Sequence, residues 1–175
     1  MNILGKLATG KIILILLALF LLVNFVAVPL VYPKFQTLDM SNGYSPAQAY
    51  QLIASYGQQG RQNYAIIEVT LDLVYPFVSG LMFSLLILYS FQRGFPNQKW
   101  ASRLALLPFA VMASDYLENT CVIIMLLAYP RQLIAVAQAA NIFTTAKMVL
   151  SPFELVFAVG LAGWLIRFIW MRRKA

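Results

Sequence analysis

The chain contains no histidine, a single cysteine (Cys121) and only six acidic residues, and charged residues make up 11% of its 175 positions. Each scarcity excludes something. Without imidazole there is no Ser-His triad, no histidine general base, and no typical haem or structural zinc site. One thiol forms neither an internal disulfide nor a cysteine zinc site. Soluble domains are about 45–50% apolar and about 25% charged, whereas this chain is 61% hydrophobic. An ordinary cytosolic enzyme, a disordered tail and a nucleic-acid-binding domain are thereby excluded. A small integral membrane protein remains.

A membrane helix needs roughly 20 mostly apolar residues, because the hydrocarbon core is about 30 Å thick and each residue rises about 1.5 Å. Four stretches qualify, at about 12–31, 64–91, 102–129 and 142–170. The last three exceed the minimum and are expected to tilt or project. The first follows Lys6 and Lys11 like a signal peptide, but its apolar run is long and no small-x-small cleavage site follows, so it reads as an uncleaved anchor. The economical arrangement is an all-α transmembrane four-helix bundle forming one integral-membrane domain over 1–175. Pro76 and Pro152 are expected to kink spans two and four. Gly80 with Ser84, and Ala158 with Ala162, offer small residues for close helix contact.

Basic residues set the orientation. Lys6, Lys11, Arg93, Lys99, Arg103, Arg167, Arg172, Arg173 and Lys174 fall on one side, and Lys34, Arg61 and Arg131 on the other. This bias places both termini in the cytoplasm. The net charge of +7 then fits anchoring at an anionic leaflet.

The long segment at about 32–63 would lie outside. Within it, Ser45, Pro46 and Gln48 form a helix start with the spacing of a capping box. Ala49, Leu52, Ile53 and Tyr56 follow as one apolar stripe, and Gly57 is a natural stop. These features predict a short amphipathic outer helix, either on the membrane surface or against the bundle. The connection at 130–141 is mostly helix-compatible and could form an interfacial turn of helix.

Five of the six acids fall inside predicted spans, where a charge costs at least about 2.5–3.5 kcal/mol on insertion scales and normally faces a partner or cavity. Glu68 and Asp72 share a face of span two. Asp115, Glu118 and Asn119 share a face of span three. Lys147, Ser151 and Glu154 share a face of span four. Tyr75 and Tyr116 can add hydroxyls. The expected result is one polar centre in the outer half of the bilayer, built from Asp72, Tyr75, Asp115, Tyr116, Glu118, Asn119, Lys147 and Glu154. Only Lys147 offsets the carboxylates there. Protons, water or a bound cation must balance the rest, and at least one of the buried acids is expected to carry a proton near neutral pH. Asn24 in span one reads as a helix–helix hydrogen bond.

Three function classes fit such a centre. The first is binding or transport of a cation, a proton-coupled solute or a polar-headed lipid. In span count the chain resembles small four-span exporters that exchange protons for cationic substrates through a membrane carboxylate. The second is a non-catalytic subunit or assembly factor of a larger membrane complex, with the polar stripes meeting a membrane-protein partner or a second copy. The third is a lipid-modifying enzyme, using two carboxylates as acid and base. Against the enzyme, the chain has no Gly-rich phosphate loop, no HExxH, GxSxG or GxGD string, and no D-G-x-x-A-R signature. Were a metal bound, oxygen ligands would select a hard cation.

The strings GYSPAQAYQLIASYGQQGRQNY, LDLVYP, DYLEN and FTTAK, taken as a set, resemble a family of uncharacterised bacterial four-span membrane proteins. The resemblance covers most of the chain after span one. It implies a bacterial inner-membrane location and marks Asp72, Asp115, Glu118, Asn119 and Lys147, but it brings no activity with it.

Overall fold

The computed structural model describes residues 3–32, 34–41, 43–95 and 100–173, and omits the side chains of Ala101, Ser102 and Glu154. Lys99 and Lys174, used above for orientation, lie outside the described residues. Four helical segments are long and apolar enough to cross a membrane: Gly10–Val31, Gly57–Gly94, Leu107–Ala128 and Ile134–Arg172. The described residues contain helices, turns and loops but no strand. The chain is an all-helical, multi-pass membrane protein.

The second span is the axis of the bundle. The first span packs on it, the third packs on it, and the last helix of the chain packs on it; the third span also packs along Ile134–Leu150. Two apolar cores result. One, at the end closed by the segment 32–56, joins Tyr50, Ile53, Tyr64, Val122, Met125 and Ala137. The other, at the opposite end, joins Leu16, Met82, Leu85, Phe91 and Ala105. The polar residues of spans two to four lie between these two cores.

The capping box forms as expected. Ser45 Oγ accepts from Gln48 N, and Gln48 Oε1 accepts from Ser45 N at 2.8 Å. Pro46–Ser55 is helical, and the chain turns at Gly57, whose φ of 65° suits glycine. The helix packs against the bundle, with Ala49 and Ile53 fully buried, so it is part of a cap and not a surface float. Tyr50 Oη accepts from Leu133 N at 2.6 Å, tying the cap to the connection between spans three and four.

Three expectations need correction. The helix-compatible part of the 130–141 connection is not a separate interfacial turn: the chain turns at 129–133 and Ile134–Leu150 follows directly, so the fourth span begins eight residues earlier than hydropathy placed it. Its early turns are apolar enough to cover the cap core through Ala137 and Ala140. Pro152 breaks this span outright into Ile134–Leu150 and Phe153–Arg172. Close contact between spans two and four uses Gly94, Gly160 and Gly163, while Ala158 and Ala162 are exposed. A Cβ on Gly94 would lie 2.7 Å from Trp164 N, so the two backbones touch there. Gly80 does serve as expected: its Cα faces Met112 and the Pro108 carbonyl on span three. Ser84 Oγ donates to Ala105 O at 2.6 Å.

Pro76 lies inside an unbroken helix, Gly57–Gly94. Its missing N–H leaves the carbonyl of Asp72 without the usual partner four residues on. Asn119 Nδ2 supplies one at 3.1 Å. Tyr116 Oη donates to the neighbouring Leu73 carbonyl at 2.7 Å. Pro29 in span one is accommodated differently, by a wide π-turn over Val23–Ala27.

Candidate functional site

Between the two cores lies a cavity of about 380 Å³. All four spans and the cap contribute to its wall. Asp39 and Tyr32 roof it, Asp72 and Tyr75 project from span two, Asp115 and Asn119 from span three, and Lys147 from span four. Five of the eight residues expected at a polar centre therefore line one space: Asp72, Tyr75, Asp115, Asn119 and Lys147.

The other three do not line it. Tyr116 is engaged with the Leu73 carbonyl. The Glu154 side chain lies outside the described residues. Glu118 sits behind the wall, fully buried, where Thr144 Oγ1 donates to its Oε1 at 2.6 Å. It nevertheless belongs to the site's electrostatics. Lys147 Nζ lies 2.5 Å from Glu118 Oε2 and 2.8 Å from Asp115 Oδ1. One ammonium thus holds two carboxylates, one facing the cavity and one facing the protein interior. Asn24 also departs from expectation. Its amide donates to Phe20 O in its own helix at 2.8 Å and lines the cavity, so it makes no bond to another helix there.

Asp39 is the residue that hydropathy alone did not bring to the site. Tyr64 Oη donates to its Oδ1 at 2.7 Å, and Tyr32 Oη donates to its Oδ2. Both phenols come from residues at the mouths of spans, so the loop carboxylate is fastened over the cavity. Aromatic packing braces the clasp: the Phe35 ring stacks on Tyr56 at 4.4 Å, and Tyr56 meets Tyr64 edge-on at 5.8 Å. Burial, then the Asp39 charge, hold the Tyr32 phenol well above its ordinary range, so it remains a donor at any physiological pH. Burial likewise pushes Tyr44 up to about 12.

Glu68, which shares a face of span two with Asp72, is 2% exposed. It lies one helical turn from the clasped Tyr64, and neither of its carboxyl oxygens has a hydrogen-bond partner among the described residues. Asp72, one turn further in, has its Oδ2 buried and also without a partner. The two differ in position: Asp72 lines the cavity and Glu68 does not.

Among the described residues, no three acidic or thiol groups converge closely enough to hold a metal ion. The carboxylates are spread around the wall and do not meet at a point.

Searches of family models, of curated proteins and of solved structures returned no match to this chain. The functional reading therefore rests on the site itself.

Proposed function

We propose that this protein binds a small organic cation in the cavity between its spans and carries it across the membrane in exchange for protons. The observation that supports this most directly is the state of Asp72. Asp39 is clasped by two tyrosines, and Asp115 and Lys147 are paired with each other. Asp72 lines the same cavity with a buried carboxylate oxygen that has no hydrogen-bond partner among the described residues. A buried acceptor in that condition costs free energy until something donates to it. An ammonium group supplies both the charge and the N–H donors. When the cation is absent, a proton on Asp72 does the same, which makes the two occupants mutually exclusive and couples their movements.

Charge supports the same reading. Among the described residues, three carboxylates and one ammonium line the cavity, so their sum is net negative. Aromatic faces from Phe20 and Tyr75, stacked at 6.0 Å, add surfaces that favour a cation. The bias of basic residues supports an orientation with both termini in the cytoplasm and the cavity in the outer half of the bilayer. With the sequence resemblance, it suggests a multi-pass protein of a bacterial inner membrane.

The test is binding of ethylammonium to the purified protein in maltoside micelles by calorimetry, with protons released measured in parallel. Wild type is expected to bind and release a proton. Asp72→Asn is expected to weaken binding about a hundredfold, as truncating one member of a buried charge pair does. In proteoliposomes, a pH gradient should drive ethylammonium uptake that Asp72→Asn abolishes. Binding undiminished in Asp72→Asn, or binding without proton release, would overturn the proposal.

A further inference from the structure

The cavity has two chemically different ends. Spans two and three run antiparallel, so depth can be read along both. Near the cap stand Asp39, Asp72, Asp115 and Lys147. Deeper in, the wall changes to Phe20, Phe83, Val111, Met112 and Phe153. From Asp72 to Phe83 the helix rises about 16 Å. The floor is an aromatic ladder across three spans: Phe20 meets Phe83 edge-on at 5.8 Å, and Phe83 meets Phe153 at 4.6 Å. A hydrated inorganic ion or a compact polar amine would use the upper half and leave the lower half unfilled.

The first span also makes its extensive contacts with the second span alone. Among the described residues the first span and the fourth do not pack extensively on one another, and Val28 and Phe20 line the cavity together with Ser151 and Phe153. All four of these residues belong to helical segments long and apolar enough to cross a membrane.

From this two-ended lining we infer that the ligand is a cationic amphiphile. Its ammonium head sits at Asp72, beneath the Asp39 clasp, and its alkyl tail lies along the aromatic floor. It enters sideways from the membrane between spans one and four. This inference rests on the cation-binding reading above and names the class of cation.

The experiment separates the two. Ethylammonium and octylammonium are titrated against wild type, Val111→Phe, Ser79→Leu and Asp72→Asn in maltoside micelles. Val111→Phe fills the apolar half and leaves the acids untouched; Ser79→Leu fills it from the opposite wall, in case the first variant fails to fold. Both are checked for a wild-type melting curve. Octylammonium should bind wild type more tightly than ethylammonium, and each filling variant should weaken octylammonium about tenfold more than ethylammonium, the size of an overpacking penalty. Asp72→Asn should weaken both. If Asp72→Asn weakens both but the filling variants spare octylammonium, the amphiphile inference fails and the cation reading stands. If Asp72→Asn spares both, the cation reading itself fails. Competition by phosphatidylethanolamine at equal concentration would support the inference with a membrane lipid as the source of the head; its absence, with octylammonium still bound as expected, supports a free amphiphilic amine.

Discussion

Replacing Lys147 by methionine removes a cation and keeps most of its stem. In the folded protein Nζ lies between Asp115 Oδ1 at 2.8 Å and Glu118 Oε2 at 2.5 Å. The three side chains are 20%, 17% and 0% exposed respectively. Loss of the cation therefore strands a wholly buried carboxylate beside a mostly buried one. Removing one partner of a buried pair costs about 3–5 kcal/mol. Glu118 keeps its 2.6 Å bond from Thr144, which places the expected loss near the lower bound, about 3 kcal/mol. At about 2–4 °C per kcal/mol for a chain of this length, melting should fall by about 6–12 °C. The assay is thermal unfolding in maltoside micelles, followed by a thiol-reactive dye on Cys121, which is free and partly buried against the cap core. A companion variant, Lys147→Met with Asp115→Asn and Glu118→Gln, removes the three charges together. Replacing a whole buried ion group by neutral residues is often close to neutral in energy, so this variant should regain most of the loss. A single variant melting within about 2 °C of wild type, or a triple variant less stable than the single one, would refute the reading of these residues as one buried ion group.

Gly94→Ala should destabilise by about 1–3 kcal/mol, because its Cβ would meet the backbone of Trp164 at 2.7 Å and of Gly163 at 2.9 Å. Ala158→Val, on an exposed face, should melt with wild type, and equal effects from the two would contradict the packing described. The cap should be alkali-labile. The Tyr44 phenol titrates at about 12 when folded and at about 10 when unfolded, so its contribution is intact below pH 10 and is lost as pH rises from 10 towards 12. Tyrosinate absorbance should show this titration, and Tyr44→Phe should reduce the alkaline loss of stability; ionisation of all nine tyrosines near 10 would contradict it. Orientation is tested with Gln59→Cys and Gln92→Cys in a Cys121→Ala background, both positions being exposed. An impermeant thiol reagent should label the first from outside intact cells and the second only after lysis, and the reverse pattern would invert the topology.

Much of the architecture is legible from local signals. Apolar run length locates the four spans, and the Ser45-Pro46-Gln48 spacing locates the cap helix to the residue. The shared faces of Asp115 with Asn119 and of Lys147 with Ser151 follow from helical periodicity, and all four line the cavity. What local signals miss is tertiary. Asp39 looks like a solvated loop acid until Tyr32 and Tyr64 are seen to fasten it as a roof. Glu118 looks like a cavity acid until Thr144 is found behind it. The fourth span looked shorter because Gln138 and Asn141 interrupt its hydropathy. In the fold Asn141 accepts from Tyr44 N at 2.8 Å, so its polarity serves the cap and does not end a helix.

Pro76 shows how the polar centre is held together by a backbone defect. A regular helix satisfies its own carbonyls and gives a neighbouring helix nothing to bond. By withholding one N–H, Pro76 exposes the Asp72 carbonyl within the membrane, where an unsatisfied group costs several kcal/mol. Asn119 takes up that carbonyl, and Tyr116 takes up the next. Those two bonds fix the rotation of span three against span two. Because Asp115 precedes Asn119 by four residues, the same rotation turns Asp115 towards the cavity and towards Lys147. The residues around the defect thus divide their work. Asn119 and Tyr116 spend their side chains on the backbone, while Asp72, carried on the exposed carbonyl's own residue, turns its side chain to the cavity wall.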